Sequence, residues 1–354
     1  MWAQVLNDEG LAEKYEKFST EEFTRYLQEQ AENIIIRTHV RNKVGTDVKR
    51  DTDKFLAEYR RRKVGDSFKR WKSAFPSIPD YFSGNMYTWY GRSGRGKSVF
   101  TLREAIESAM QGANVLIWAL EMPSFEVLSR LYSMVSAING VLTATIEGVD
   151  YDAGFSANDI LYGKLSEEFE AGLTTFLETI NDIISGNIII RAVDDEDFVK
   201  RDIKALEADI IETKADVIVI DPFYYMTYEV NTSKTAGGDA SNTSKKIRHL
   251  AGRTKTVIHV ITQAEESRNE KNNEGNRELK PPTRAEIKKT KAVLEDASNV
   301  FAIDTLDGQG IIEIEKGRNG GEGEQIEIMY LPNYGIVREM ETGEESVSKF
   351  TAQF

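Results

Sequence analysis

Apolar residues change their spacing twice along this chain. Before about residue 62 they recur at helical spacing, and from about residue 75 they form short unbroken runs between helical stretches. In the final third they alternate with polar residues. Unbroken apolar strands separated by helices are typical of a parallel sheet covered on both faces, whereas alternation is typical of antiparallel strands. The pattern therefore predicts an α/β fold preceded by a small helical segment.

The N-terminal part is predicted to contain two helices. The stretch STEEFTRYLQEQAENIII opens with Ser19 as N-cap and has Glu22 three residues later, which is the spacing of a capping box. The stretch DTDKFLAEYRRRKVG predicts a second helix that ends at Gly65. Because residues 1–74 hold too little apolar material for a core of their own, we expect them to pack on another surface, such as a neighbouring subunit.

Five apolar runs predict the strands of the parallel sheet. They are NMYTWYG, NVLIWALEM, NIIIRAV, DVIVIDPF and TVIHVITQ, with helical stretches such as SVFTLREAIESAMQGA and EDFVKRDIKALEADIIETKA between them. Turn signals at Asp307-Gly308 and Asn319-Gly320 divide the alternating final third into antiparallel strands that extend this sheet.

The patterns divide the chain into three parts. Residues 1–74 form a helical segment with a basic linker helix, residues 75–340 form the α/β domain, and residues 341–354 form an acidic tail that we expect to be flexible.

Composition narrows the setting and the chemistry. The 354 residues include no cysteine and only three histidines, which excludes disulfides and thiolate metal sites. No apolar run approaches the ~20 residues of a membrane helix, and the start MWAQVLNDEGLAEKYEK lacks the apolar centre of a signal peptide. We therefore expect a cytoplasmic protein without a membrane partner.

The net charge of −13 argues against a large nucleic-acid-binding surface. The charge is uneven, however: residues 37–72 contain 13 Lys and Arg against 5 Asp and Glu, which leaves the remainder at −21. The basic segment indicates either a solvated helix or a narrow surface for nucleic acid.

The stretch GRSGRGKS predicts a phosphate-binding loop. Gly91, Gly96, Lys97 and Ser98 match the pattern G-x-x-x-x-G-K-[ST], between a predicted strand and a predicted helix. Glycines let successive N–H groups turn inward around an anion, Lys97 reaches the β- and γ-phosphates, and Ser98 ligates Mg²⁺. The competing interpretation is an ordinary glycine-rich turn. The residues predicted to bind the phosphates of ATP are Gly91, Ser93, Gly94, Arg95, Gly96, Lys97 and Ser98.

Two carboxylates are predicted to face this loop. Asp221 ends the apolar run DVIVID, at the sheet edge where ligands of such folds bind, and is suited to hold Mg²⁺ beside Ser98, directly or through a water. Glu121 ends the strand after the loop helix, where it is suited to activate the attacking water. The alternative for Glu121 is an exposed residue at a strand end.

These stretches, in this order and spacing, resemble the hexameric DnaB-type replicative DNA helicases of the RecA-like superfamily from about Phe75 to Met340. Further similar stretches are LEMP with Leu128 and Arg130, VITQAEES, EIKKTKAVLEDASNVFAID and EIEKGRNGGEGEQIEIMYLPNYGIVRE. The resemblance implies a RecA-like ATPase domain that uses ATP and Mg²⁺ and unwinds DNA as a hexameric ring.

The resemblance also implies roles for single residues. Gln263 takes the position of the residue that senses the γ-phosphate, and Lys288 stands where the family has arginine. Lys316 and Arg318 occupy the Lys-x-Arg-x-Gly of the family, a basic pair that enters the ATP site of the next subunit and contributes to catalysis there.

Contacts with single-stranded DNA are implied for the stretch YEVNTSKTAGGDASNTSKKIRHLAGR, which matches the channel-lining loop of the family. The residues that fit backbone phosphates are Lys234, Gly237, Gly238, Lys245 and Lys246.

Some features depart from the family. The N-terminal helical domain is usually longer, so contacts with a primase, a helicase loader or a single-strand-binding protein are less certain to carry over. An Arg-Glu-Ser-Gly sequence before Asp296 is absent, and Pro222 stands where tyrosine is common. The chain is therefore interpreted as a divergent, phage-type member of a bacterial cell or an infected host.

Three other hypotheses stay open at the level of sequence. A RecA/RadA-like recombinase would form filaments instead of closed rings. A RecA-like ATP switch would gate partner proteins without translocating. The N-terminal helices could also serve as a docking module with a purely structural role.

Overall fold

The structure is a computed structural model, and its description is confined to part of the chain. The described residues are 15–20, 22–24, 26–27, 30, 45–65, 67–146, 148–232, 234–266, 277–288, 291–318 and 320–340. The chain divides into two compact units between Ser67 and Phe68, whereas the sequence placed this boundary between residues 74 and 75. The predicted tail, residues 341–354, lies outside the described residues.

The first unit contains the predicted capping box. The Glu22 backbone N–H donates to Ser19 Oγ over 3.3 Å, and the Ser19 N–H donates to Glu22 Oε2 over 2.9 Å. Two backbone donors that the first turn leaves without helical partners are thereby satisfied. The helix start predicted from the sequence is confirmed.

The first unit also contains helix α1 (Thr52–Lys63), the second helix predicted. None of its residues is buried within this chain, and Phe55 and Tyr59 are 70% and 57% exposed. Four basic residues occupy its last turn, where cations stabilise the negative end of the helix dipole.

The second unit contains thirteen strands among its described residues, which we number in chain order. The strands are β1 (Arg70–Trp71), β2 (Tyr81–Phe82), β3 (Asn85–Gly91), β4 (Asn114–Ala119), β5 (Leu142–Ile146), β6 (Val149–Ala153), β7 (Asn187–Ala192), β8 (Val217–Asp221), β9 (Val257–Gln263), β10 (Asn299–Leu306), β11 (Gln309–Gly317), β12 (Gln325–Leu331) and β13 (Ile336–Glu339).

Helices lie between these strands. They are α2 (Lys97–Met110), α3 (Ser124–Ile138), α4 (Ala157–Leu161), α5 (Glu167–Glu178), α6 (Ile180–Ile183), α7 (Ile203–Thr213), α8 (Gly238–Thr254) and α9 (Ala292–Glu295), with short 3₁₀ turns at Phe223–Tyr225, Arg284–Glu286 and Pro332–Tyr334. No helix among the described residues is long and apolar enough to cross a bilayer.

Nine strands form one central sheet in the order β13-β12-β11-β10-β3-β9-β8-β4-β7. Strands β10, β3, β9, β8, β4 and β7 run parallel, and β11, β12 and β13 continue the sheet in antiparallel pairs. The predicted fold class, a mostly parallel sheet extended by C-terminal antiparallel strands, is confirmed. All parallel strands end at one edge, called the carboxyl edge below.

The core consists of two apolar layers, one on each face of the sheet. In β8, Val217 and Val219 pack into one layer, and Ile218 and Ile220 pack into the other. Helices α2 and α3 cover the first layer, whereas α7 and α8 cover the second. Strand β8 is therefore buried on both faces, and its unbroken apolar run follows from this position.

The structure differs from the sequence interpretation in one helix. The stretch from residue 196 to 215 was expected to be helical throughout, but α7 begins only at Ile203. The side chain of Asp202 accepts the N–H groups of Lys204 and Ala205 at 2.9 Å. An N-cap satisfies the free donors at the start of a helix, and Asp202 therefore fixes the point where α7 begins.

The Asp307-Gly308 turn joins β10 to β11, as predicted. Both residues have positive φ, 46° and 81°, which is the backbone of a two-residue hairpin of type I′. The other turn signal, at Asn319-Gly320, falls partly outside the described residues.

Candidate functional site

The glycine-rich loop connects β3, which ends at Gly91, to α2, which begins at Lys97. Gly96 has φ 82°, and a Cβ atom added there would lie 2.6 Å from Tyr330 Oη. Only glycine fits this backbone and this contact. The loop therefore runs directly into the N-terminus of a 14-residue helix, which is the backbone arrangement that binds phosphates.

Lys97 is the cation of this loop. Its Nζ donates to the Arg92 carbonyl oxygen over 2.7 Å. Burial lowers the pKa of Lys97 to about 8, while Asp221 and Glu121 act in the opposite direction. The side chain is consequently held against the loop and stays mainly charged at neutral pH.

Asp221 ends β8 at the carboxyl edge and is only 6% exposed. Burial raises the pKa of Asp221 to about 6, against a stabilising hydrogen bond from Ser98 and the opposing effect of Glu121. The Ser98 hydroxyl thus lies in direct contact with the Asp221 carboxylate. The two side chains predicted to hold Mg²⁺ are brought together.

Glu121 lies beside Asp221, because the Leu120 N–H donates to the Asp221 carbonyl oxygen over 2.7 Å. The Glu121 side chain is exposed and faces the cleft described below. Tyr224 Oη donates to Glu121 Oε2 over 3.5 Å, and burial followed by the nearby charge of Glu121 raises the pKa of Tyr224. A carboxylate is therefore available at the carboxyl edge with its oxygens toward open space.

Loop, carboxylates and neighbouring side chains line one open cleft of about 610 Å³. Sequence reasoning did not identify three cleft residues: Glu126, Tyr330 and Asn333. Tyr330 stacks on Phe100 of α2, with ring centroids 5.4 Å apart. No motif could have found Tyr330, since it reaches the loop from the distant strand β12.

Arg130 also lines the cleft. The sequence indicated it only through the family resemblance, and its Nη2 lies 2.6 Å from Glu126 Oε1 on the same helix. Its positive charge favours the ionised forms of both Asp221 and Tyr330.

Gln263 is the last residue of β9 and lies directly opposite Gly91 in the parallel ladder. The structure therefore places it one strand away from the glycine-rich loop, at the same edge. Among the sequence-predicted residues, this edge gathers those of the loop together with Glu121, Asp221 and Gln263.

The basic pair lies at the other end of the strands. Lys316 of β11 pairs with Val300, near the start of β10, whereas Gly91 pairs with Ile303, farther along β10. Lys316 Nζ donates to the carbonyl oxygens of Leu294 at 3.3 Å and Glu295 at 2.7 Å, and also to that of Ala297. These bonds hold the end of α9.

Arg318 follows β11 and is exposed. Its guanidinium has no hydrogen-bond or ion-pair partner within the described part of the chain, whereas its backbone N–H donates to the Ser298 carbonyl oxygen over 3.2 Å. Arg318 therefore projects from the edge opposite to the glycine-rich loop of its own chain.

The residues implied in DNA contacts are dispersed over the start of α8 and the loop before it. Lys234 and Lys245 are exposed, whereas Lys246 Nζ lies 2.8 Å from Glu229 Oε2. The Gly238 N–H donates to the Thr235 carbonyl oxygen over 3.1 Å. Gly237, with φ 74°, is the N-cap of α8. Their sum is a small, partly neutralised basic surface.

The residues present fit a nucleoside triphosphate with Mg²⁺. The loop offers a backbone cradle in which Tyr330 leaves no room for a side chain at Gly96. The hydroxyl of Ser98 and the carboxylate of Asp221 are hard oxygen donors, the ligands that Mg²⁺ prefers. Lys97 supplies a cation between them and the loop.

Comparison with known proteins places this cleft in a family. Residues 58–268 match a family described as an AAA domain. No curated protein sequence matches the chain.

Two solved structures share its fold. The ATPase domain of a phage helicase superposes with a TM-score of 0.63 and 16% identity, over 83% of this chain and all of that one. A structure titled as a DnaB-like replicative helicase and its interactions with primase gives a TM-score of 0.60 and 16% identity, over 94% of this chain and 75% of that one. The resemblance drawn from the motifs is confirmed at the level of the fold.

Proposed function

The chain belongs to the AAA domain family, and from this premise we propose that it is an ATP- and Mg²⁺-dependent motor of the DnaB type. It hydrolyses ATP at the interfaces of a hexameric ring and moves along single-stranded DNA to unwind the duplex. One observation carries the proposal: Lys97, Ser98, Asp221 and Glu121 converge on a single cleft at the carboxyl edge of the sheet.

Each of these residues has a task that its surroundings support. When bound, Mg²⁺ and ATP would supply a phosphoanhydride bond and the charge that polarises it. The loop amides and Lys97 bind the phosphate oxygens, and Ser98 and Asp221 hold the metal ion. Glu121 orients the attacking water and accepts its proton, because its carboxylate is the exposed one of the pair.

Gln263 is proposed to sense the terminal phosphate. Its position opposite Gly91 and its half-buried amide support this role, since an amide can donate to an anion without adding a further charge to the cleft.

Arg318 and Lys316 are proposed to serve the cleft of the adjacent subunit. Arg318 is exposed at the opposite edge of the sheet, so it cannot reach the loop of its own chain without refolding β11. An arginine supplied across an interface is typically worth ~10³–10⁵ in rate, since it neutralises charge that develops on the transferred group. Lys316 is bonded to three carbonyls of its own chain, so we assign it mainly to holding Arg318 in place.

Single-stranded DNA is proposed to lie along the start of α8. Lys234 and Lys245 offer charge, and Gly237 and Gly238 let a backbone approach closely. A ring needs few cations per subunit, which reconciles the proposal with the net charge of −13. A primase, a loader or a single-strand-binding protein are proposed partners, in a bacterial or phage-infected cytoplasm.

The test is ATP hydrolysis measured with and without single-stranded DNA, together with the mass of the assembly in solution. We expect hydrolysis that DNA stimulates and a mass of six chains with nucleotide bound. The Lys97→Ala variant serves as the inactive control.

Other outcomes would favour the rival functions. Hydrolysis that ignores DNA, without displacement of a strand from a forked duplex, would indicate an ATP switch. Filaments of indefinite length on single-stranded DNA would indicate a recombinase. A chain that hydrolyses no nucleotide would overturn the proposal.

A further inference from the structure

Residues 277–288, called here the flanking segment, run alongside the glycine-rich loop. The guanidinium of Arg92, the first residue after β3, is 1% exposed. It donates through Nη1 to the Lys280 carbonyl oxygen over 2.9 Å and lies 3.3 Å from Glu286 Oε1. The loop thus holds the flanking segment through one buried side chain.

A second attachment involves Asp304 of β10, whose carboxylate is fully buried. Arg277 donates to Asp304 Oδ1, and the Lys280 N–H donates to Oδ2 over 2.9 Å. Arg95, inside the loop, lies 3.8 Å from the same carboxylate. One carboxylate therefore joins the loop to the start of the flanking segment.

The far end of the flanking segment returns to the carboxyl edge. The Lys288 N–H donates to the Gln263 carbonyl oxygen over 2.9 Å, and Ile287 forms an antiparallel bridge with Ala264. Since Gln263 lies opposite Gly91, the backbone of Lys288 is fixed two strand positions away from the glycine-rich loop.

The side chain of Lys288 is half-buried and forms no hydrogen bond or ion pair with any residue that the structure describes. Its charge reaches Lys97: after burial, Asp221 and Glu121, it is the next largest influence on the pKa of Lys97, which it lowers. Two ammonium groups held on one edge repel each other unless an anion with several charges lies between them. Glu266, whose charge also reaches Lys97, is exposed and offsets this only in part.

We propose that Lys288 is a second cation for the terminal phosphate of a bound nucleoside triphosphate, acting from the same chain as Lys97. The two cations would bind from different strands of the carboxyl edge, Lys97 from the loop after β3 and Lys288 beside the end of β9. This role rests on the proposed function and adds to it, because Lys288 would make the cleft prefer a triphosphate over a diphosphate.

The test compares binding of Mg²⁺ with adenylyl imidodiphosphate, which carries a terminal phosphate, and with ADP, which does not. Isothermal titration of the full chain measures both affinities without relying on turnover. We expect Lys288→Gln to lower the affinity for the triphosphate analogue about tenfold, or ~1.4 kcal/mol, and to leave that for ADP unchanged. Lys288→Arg keeps the charge and should retain most of the preference.

The matched control is Lys291→Gln, which removes an exposed lysine just beyond the flanking segment. It should change neither affinity. An unchanged affinity of Lys288→Gln for the triphosphate analogue would overturn the inference, and so would an equal loss for both nucleotides, which would indicate a structural role.

Failure of the proposed function gives a different result. In that case the unaltered chain would bind neither nucleotide, and Lys97→Ala would behave as the unaltered chain does. Both proposals would then fall together. If the unaltered chain binds both nucleotides but Lys288→Gln has no effect, only the role of Lys288 is lost.

Discussion

The two edges of the central sheet differ in how completely they form a site. The carboxyl edge gathers Lys97, Ser98, Asp221 and Glu121 around one cleft, and each touches or faces another member of the set. The amino edge carries Arg318, which projects from the surface without a side-chain partner among the described residues. One edge resembles a cleft that awaits a cation, and the other resembles a cation that awaits a cleft.

The comparison leads to a specific hypothesis about assembly. Because the two edges of one sheet lie at opposite ends of its strands, they cannot meet within one chain, but they can meet between two copies placed head to tail. Such heterologous contacts close into rings when the rotation between copies allows it. The following predictions test each edge separately.

The largest effect is expected at the amino edge. Arg318→Ala should reduce ATP turnover by about 10³–10⁵-fold, because it removes charge stabilisation from the neighbouring cleft. Nucleotide affinity, measured by titration, should stay unchanged, since the cleft of the altered chain is intact.

The control for Arg318 is Arg338→Ala, another exposed arginine of the same sheet, on β13. It should turn over ATP normally. If Arg318→Ala also hydrolyses ATP at the normal rate, the amino edge has no catalytic role and the comparison fails.

A smaller loss is expected from Glu121→Gln at the carboxyl edge. The amide keeps the shape of the side chain but cannot accept a proton, so turnover should fall by about 10²–10⁴-fold. Steady-state hydrolysis and nucleotide titration together check this, because binding should persist. A concurrent loss of nucleotide binding would instead assign Glu121 to the binding of the phosphates or the metal ion.

The predictability of the two edges also differs. The loop, Asp221 and Glu121 follow local rules, since a glycine pattern and the ends of apolar runs fix their positions along the chain. The partners of Lys316 follow no such rule. Its bonds to the carbonyls of Leu294, Glu295 and Ala297 depend on how a hairpin folds back over a short helix.

Other features escaped prediction for the same physical reason. Tyr330 reaches Gly96 from β12, and Arg92 reaches Glu286 across most of the chain. Long-range packing decides such contacts, and neither apolar periodicity nor motif spacing encodes it. The early part of the stretch before α7 was assigned to a helix because composition there favours one, whereas the Asp202 cap delays its start.

The buried carboxylate of the carboxyl edge predicts an effect of pH on stability. The pKa of Asp221 is about 6 in the folded chain and has an ordinary value of 3.8. The folded state therefore binds a proton more tightly than the unfolded state, so the contribution of Asp221 to stability is fully present below pH 4 and is lost as pH rises through about 6.

Substitution of this residue gives the measurable form of that prediction. Without nucleotide or Mg²⁺, Asp221→Asn should be more stable than the unaltered chain above pH 6 by roughly 2–3 kcal/mol, with little difference below pH 4. Denaturant unfolding at both pH values checks this. A difference that does not depend on pH would show that the carboxylate is already ionised at low pH.

The smallest effect is expected from Lys316→Met at the amino edge. It removes three hydrogen bonds to carbonyls at the end of α9, which should lower the free energy of unfolding by about 1–3 kcal/mol. Thermal denaturation should show this loss, whereas Arg318→Ala should unfold at the normal temperature. Equal stability of all three chains would remove the positioning role assigned to Lys316.

The central claim is that one chain completes the cleft of another, and a mixed assembly tests it most directly. Lys97→Ala has a defective cleft but an intact Arg318, whereas Arg318→Ala has the reverse, so each variant alone should be inactive. When the two are co-expressed, about a quarter of the interfaces in a random equal mixture should combine an intact cleft with an intact arginine. The account predicts that ATP hydrolysis returns in the mixture, and a mixture as inactive as its two components would contradict it.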